Sequence, residues 1–152
     1  MSHTQALAGF LADLNYEQVP DAVLDRTEDL FLDWLGSALA SQGSHPIPLF
    51  ERYAQHMGPA DGPAKILVSG RGTSAYFAAL VNAASSHLVE QDDLHNSSVL
   101  HPATVVFPAV LAAAQDLGKS GRELLLASVA GYEAGIRIDR KSTRLNSSHP
   151  GY

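Results

Sequence analysis

Apolar residues recur three and four positions apart along most of this chain, and that spacing limits the fold more than any other feature of the sequence. The longest example follows Pro20 and has its apolar positions at Val23, Leu24, Leu30, Phe31, Trp34, Leu35, Ala38 and Leu39. Such a stripe is typical of a helix that buries one face in a core. Comparable stretches begin near Thr4, Ile47, Ser74, Ala103 and Leu124. Together they predict an all-α fold class.

Capping and turn residues separate the six predicted helices. Thr4 can cap the first helix, which we expect to end near Asn15. Gly118 ends the fifth helix, and Ser120-Gly121-Arg122-Glu123 is a capping box for the sixth. Residues 65–68 are the one apolar run that favours a strand.

Composition and charge exclude several classes of function. The formal net charge is -6, and no cluster of Lys and Arg occurs before residue 139, so a nucleic-acid partner is not expected. No apolar run approaches the roughly 18 residues that a membrane helix needs, and Asp13 interrupts the early apolar stretch, which argues against a secretory signal. The chain has no cysteine, so disulfides and thiolate metal sites are impossible. We therefore expect a cytoplasmic protein with no membrane partner.

The sequence changes character after Ile138. Residues 139–149 are polar and basic, lack any periodicity, and resemble the conceptual translation of a short-read sequencing adapter, with a match at every codon. We therefore predict that residues 1–138 are part of a natural helical domain and that residues 139–152 form a non-native, disordered tail. An ordinary disordered tail is the alternative.

One stretch of fifteen residues concentrates side chains that can move protons or bind metal ions, namely His87, Glu90, Asp92, Asp93, His95 and His101. Most of them fall in a polar segment that we expect to be a loop. His87 and Glu90 are three residues apart and can share a helix face. A histidine oriented by a carboxylate can transfer protons near neutral pH, as chemistry at a carbon next to a carboxylate requires.

Three interpretations of this stretch stay open from the residues alone. In the first, the side chains are solvated polar groups of a loop and a helix end. In the second, His87, Glu90 and His95 bind zinc, iron or manganese, although no His-Glu-x-x-His motif is present. In the third, the stretch performs acid/base catalysis without a metal ion.

Several motifs, taken in order, resemble the MmgE/PrpD family, which includes 2-methylcitrate dehydratase. They are Ala8-Gly9-Phe10-Leu11, Leu32-Asp33-Trp34-Leu35-Gly36, the spaced residues Gly70, Ser74, Ala78, Ala79 and Asn82, the residues His87, Asp92, Asp93, His95, His101 and Pro102, then Gly121-Arg122-Glu123-Leu124-Leu125-Leu126 and Ala130-Gly131-Tyr132-Glu133. The likeness covers residues 4–138. It implies that the chain is the N-terminal part of a large all-helical domain, which a smaller α+β domain would accompany in the full protein.

The resemblance also implies which residues form the site. His101 is the predicted proton donor or acceptor, and Asp92 is predicted to orient it. Glu90, Asp93 and His95 are predicted to bind substrate. Glu90 stands where the family usually has aspartate, and Leu94 stands where it usually has threonine, so a hydroxyl that could contact the substrate is lost.

The resemblance implies a lyase, or an epimerase, that acts on a small di- or tricarboxylic acid by proton transfer at carbon. It implies no cofactor, no metal ion and a homodimer at full length. Further lysine and histidine side chains of the family's site would lie beyond residue 138, so this chain alone is expected to be inactive. A helical binding or scaffolding domain without catalysis is the alternative.

Overall fold

A computed structural model describes residues 2–146, with the side chains of residues 2–139. Six helices and one pair of very short strands make up this part of the chain. In chain order they are α1 (His3–Asp13), α2 (Asp21–Ala40), α3 (Ile47–Met57), β1 (Ala64–Lys65), β2 (Gly72–Thr73), α4 (Ala75–Leu88), α5 (Pro102–Leu117) and α6 (Gly121–Asn146), with a 3-10 turn at Tyr16–Gln18. The helical fold class predicted from the sequence is confirmed.

The first helix begins two residues earlier than the sequence predicted. Ser2, and not Thr4, is the N-cap: its hydroxyl accepts a hydrogen bond from the Gln5 backbone N–H at 3.2 Å. The Gln5 side chain in turn accepts from the Ser2 backbone N–H at 2.9 Å. This reciprocal pair is a capping box, which satisfies two donors where a lone Thr4 cap would satisfy one.

The helices pack around α4 and α5, which lie against each other at the centre of the molecule, with α2 and α6 also packed on this pair. Small buried side chains on α4, among them Ala78 and Ser85, allow this approach. Gly131 of α6 lies so close to α5 that a Cβ atom there would be 2.7 Å from Cγ1 of Val106. The central helices are therefore held at close range by small residues.

An aromatic cluster joins three of these helices. Trp34 of α2 and Phe107 of α5 are fully buried, with ring centroids 5.7 Å apart. Phe31 contacts Phe107 edge to face, and Tyr132 of α6 packs against Phe107 at 5.4 Å. The cluster fixes α6 relative to the N-terminal half of α5, and it thereby places the Tyr132 hydroxyl near the start of α5.

The predicted strand at residues 65–68 is mostly a turn. Only Ala64–Lys65 is extended, and it pairs antiparallel with Gly72–Thr73. The Asn82 side chain of α4 makes the backbone hydrogen bonds that a neighbouring strand would otherwise make. It accepts from the Leu67 backbone N–H at 2.8 Å and donates to the Lys65 carbonyl at 2.9 Å. An amide side chain satisfies the backbone here, which apolar patterning does not predict.

The last helix continues past Ile138 to Asn146, where the sequence predicted a disordered tail. No glycine or proline occurs between Ile138 and His149, so nothing in these residues breaks a helix once it has started. Residues 147–152 lie outside the described residues, and the non-native origin of residues 139–152 stays a prediction. No helix in residues 2–146 combines the length and the apolar character needed to cross a bilayer.

Candidate functional site

Residues 89–101 connect α4 to α5 and are called the site loop below. Glu90 near the start of the loop has a left-handed backbone conformation (φ 50°), and so does Val99 near its end (φ 54°). Backbone hydrogen bonds close the turn between them, from the His95 N–H to the Leu100 carbonyl and from the Val99 N–H to the His95 carbonyl, each at 2.8 Å. Left-handed backbone is unfavourable for valine in particular, because its branched Cβ crowds the following carbonyl. The loop therefore holds two strained positions.

A buried carboxylate lies at the centre of the site. The Asp92 side chain is fully buried, and its Oδ2 is 3.1 Å from Nδ1 of His87 and 2.9 Å from Nδ1 of His101. The two imidazole rings meet edge to face, with centroids 5.3 Å apart. His87 comes from the last turn of α4, and His101 is the residue that precedes α5. Asp92 thus joins the end of one central helix to the start of the other.

The two imidazoles contact Asp92 in different ways. His87 Nδ1 is aligned with Oδ2 as a hydrogen bond requires. His101 Nδ1 is nearer but out of line, so its contact has the distance of an ion pair without the geometry of a hydrogen bond. The other carboxylate oxygen, Oδ1, has no hydrogen-bond partner within residues 2–139. Catalytic hydrogen bonds are often misaligned before substrate binds, so this arrangement is compatible with a working His101.

Asp93, the next residue, anchors the loop to two helices. Its Oδ1 accepts from the Ala103 backbone N–H at 2.9 Å, and its Oδ2 accepts from the Tyr132 hydroxyl at 2.9 Å. The first bond satisfies a free N–H in the first turn of α5, and the negative charge is favourable at that helix end. Burial raises the pKa of Tyr132, and the charge of Asp93 raises it further. Tyr132 is therefore a neutral donor at any ordinary pH.

Two of the predicted substrate-binding residues lie apart from this cluster. His95 uses Nδ1 in a 2.7 Å hydrogen bond with the Ser98 hydroxyl, inside the turn of the loop. Glu90 is exposed, and its side chain makes no hydrogen bond or ion pair with residues 2–139. Because α4 ends at Leu88, the predicted helical pairing of His87 with Glu90 does not form. Contact of Glu90, Asp93 and His95 with a substrate stays a prediction.

His101 and Asp92 lie together as predicted, whereas the contact of His87 with Asp92 was not predicted, since His87 was assigned a role only in the metal interpretation. The partnership of Tyr132 with Asp93 was also missed, since the two are far apart in sequence. The sequence did contain a signal for His87 and for Tyr132, because each belongs to a motif that carries the family resemblance. Spacing along the chain did not reveal which side chain each one meets.

The cluster has a second possible chemistry. Ligand atoms of His87, Asp92 and His101 all lie within 4.8 Å of one another, the one such group of three among the described residues. Imidazole with carboxylate suits zinc, iron or manganese. This group differs from the set His87, Glu90 and His95 that the sequence suggested. The unpaired Asp92 Oδ1 fits either a metal ion or an acid/base site, so the two chemistries are separated by experiment below.

Comparison with known proteins agrees with the motifs. Residues 5–150 match the family described as the MmgE/PrpD N-terminal domain. The chain is 33% identical over 144 residues to a cis-aconitate decarboxylase of Aspergillus terreus, an alignment that covers 90% of this chain and 29% of that protein. It is 32% identical to the cis-aconitate decarboxylase-like protein oryM of Aspergillus oryzae and 27% identical to the cis-aconitate decarboxylase of Mus musculus, over 89% and 90% of this chain. The chain spans about 29% of the length of these relatives.

Proposed function

Because the chain belongs to the MmgE/PrpD family, we propose that the full protein is a lyase that acts on a small di- or tricarboxylic acid by proton transfer at carbon. Two of the relatives named above are cis-aconitate decarboxylases, so decarboxylation is the first reaction to test, with dehydration and epimerisation as alternatives. The observation that carries the proposal is the buried Asp92 carboxylate held against His101. Metal ions and cofactors have no part in the proposed reaction.

His101 suits the transfer of a proton to or from carbon. Its Nδ1 faces Asp92, which leaves Nε2 as the ring nitrogen that can meet a substrate, and its side chain is 37% exposed. A carboxylate on one ring nitrogen holds the ring in place and stabilises the protonated form that arises during transfer. In a decarboxylation, the electron pair left on carbon when carbon dioxide departs would take a proton from such a group. In the proposed mechanism His101 is therefore the acid/base residue and Asp92 orients it.

The charges around the site indicate what else the full protein must supply. Glu90, Asp92 and Asp93 place several carboxylates in one loop, and no Lys or Arg side chain of residues 2–139 forms an ion pair with them. A substrate with two or three carboxylates would be repelled unless cations from elsewhere offset this charge. We propose that the rest of the full-length protein provides them, and that residues 1–152 alone show no turnover.

The family resemblance supports the further proposal that the full protein is a cytoplasmic homodimer. Light scattering of the purified full-length protein tests the dimer. The competing idea is a helical binding or scaffolding domain without catalysis. Absence of turnover of cis-aconitate and related acids by the folded full-length protein would favour that idea.

Replacement of His101 by Gln in the full-length protein tests the mechanism. The change keeps some hydrogen bonding but removes the titratable nitrogen, so kcat should fall by roughly 10²-fold or more while the fold persists. His56→Gln, at an exposed histidine in the last turn of α3, is the matched control and should keep wild-type turnover. Chelators should have no effect. Wild-type turnover in His101→Gln would remove the acid/base assignment, and reversible loss of activity with a chelator would replace it with the metal site of His87, Asp92 and His101.

A further inference from the structure

We propose that His87 is a positioning residue of this site: it holds the Asp92 carboxylate in the orientation from which Asp92 can orient His101. The proposal rests on the proposed function, because it assigns His87 a part in the same proton transfer. His87 itself does not act on the substrate in this account. Its contribution reaches the reaction through Asp92.

Asp92 depends on His87 for its hydrogen bonding. Its side chain is fully buried, its Oδ1 has no partner within residues 2–139, and its contact with His101 is out of line. The bond from His87 Nδ1 at 3.1 Å is thus the one aligned side-chain hydrogen bond to this carboxylate in the described part of the chain. A buried carboxylate without such a donor is costly and rotates toward any donor within reach. His87 is therefore what determines where Oδ2 points.

The proposed roles of the two histidines explain why His101 cannot hold the carboxylate by itself. His101 must keep Nε2 available to a substrate and must tolerate a change of charge during the reaction. His87 has neither requirement, and it is fixed on the last turn of α4 while its side chain stays 57% exposed. To donate to the carboxylate, the His87 ring must carry its proton on Nδ1. One imidazole is then a fixed donor, and the other is left to exchange protons.

Exposure of His87 also separates this role from a packing role. A side chain that is more than half exposed contributes little to a core, so its loss should cost stability only through the hydrogen bond to Asp92, and the fold should persist. Loss of its hydrogen bond should instead slow catalysis, because Asp92 would no longer be held in the orientation that positions His101. The expected effect is on kcat with little change in KM, because His87 does not contact the substrate.

Three variants of the full-length protein test this role. His87→Ala removes the donor and should lower kcat by roughly 10-fold, as is usual when a residue that orients a functional side chain is lost. His87→Asn carries an amide N–H close to where Nδ1 of the histidine lies, so it should return kcat to within about 3-fold of wild type. His56→Ala, on the exposed surface of α3, is the control for loss of a histidine and should match wild type.

A measurement without substrate keeps this proposal separate from the proposed function. In full-length protein labelled with ¹⁵N-histidine, His87 should show its proton on Nδ1, and His87→Ala should shift the ring nitrogens of His101. If no acid is turned over, the proposed function fails, and the nitrogen shifts alone decide on His87. Unchanged His101 shifts in His87→Ala would overturn the proposal. So would wild-type kcat in that variant, or a His87→Asn enzyme as slow as His87→Ala.

Discussion

The two connections that flank α5 are built in opposite ways. The connection to α6, residues 118–120, follows local rules: Gly118 takes the left-handed conformation (φ 61°) that ends a helix, and Ser120 and Glu123 form a capping box. The site loop before α5 breaks such rules, with valine in left-handed backbone and a buried carboxylate whose oxygen Oδ1 has no hydrogen-bond partner within residues 2–139. Departures from local preference concentrate at functional sites, so the contrast supports the proposal that the site loop carries the acid/base site.

The same contrast holds for the carboxylates that stabilise the two helix starts. Asp93 accepts a hydrogen bond from the first turn of α5, ten residues away in sequence, and a second one from Tyr132, a residue of another helix. Glu123 lies in the first turn of α6, on the exposed surface, and accepts hydrogen bonds from the backbone N–H and hydroxyl of Ser120 just before that helix. The first is a tertiary link that determines how the loop sits on the helices. The second is a local cap that affects one helix end.

The largest effect that distinguishes the two connections is expected from Asp93→Ala. The change leaves the Ala103 N–H and the Tyr132 hydroxyl without their acceptor, so the free energy of unfolding should fall by about 2–4 kcal/mol. Tyr132→Phe, which keeps the aromatic packing, removes one of the two bonds and should cost about 1 kcal/mol. Urea unfolding of the full-length protein measures both. Equal losses in the two variants would show that the bond to Ala103 contributes nothing.

Changes at Val99 and Gly118, one left-handed position from each connection, should have smaller and opposite effects. Val99→Gly removes the clash of a branched side chain, which exceeds the entropy that glycine loses on folding, so stability should rise by about 0.5–1 kcal/mol. Gly118→Ala should lower stability by about 1 kcal/mol, and solely through the backbone, since a Cβ there would meet nothing within 4 Å. Melting temperatures of both variants test the comparison. A loss of stability in Val99→Gly would mean that the Val99 side chain, 71% exposed, makes a needed contact.

How much the sequence could predict follows from the same distinction. The start of α2 after Pro20, the start of α3 at Ile47, the Gly118 cap and the Ser120 capping box all depend on residues within a few positions of each other, and these predictions are confirmed. The meeting of Asp92 with His101 was predicted with the help of the family motifs. The bond between Asp93 and Tyr132 was not, because 39 residues separate them and only the packed helices bring them together. Likewise, Asn82 satisfies the backbone near β1 from another element, where apolar spacing predicted a longer strand.

The smallest expected effect concerns Glu123 and the pH dependence of the α6 cap. The hydrogen bond from Lys119, followed by those from Ser120, lowers the pKa of Glu123 to about 2 from an ordinary value of 4.5. A carboxyl whose pKa is lowered by folding stabilises the fold above its unfolded pKa, and that stabilisation disappears as the pH falls from about 4.5 to about 2. In Glu123→Gln the amide can still accept from Ser120 but carries no charge, so the melting temperature should fall less steeply as the pH is lowered through that window.

Glu28→Gln, at an exposed glutamate of α2, is the matched control and should follow the wild-type curve. Melting curves at half-unit pH steps provide the test, and because Glu123 is at the surface the difference should shrink in high salt. If Glu123→Gln and wild type lost stability in parallel, the cap would depend on the hydrogen bonds of Glu123 and not on its charge.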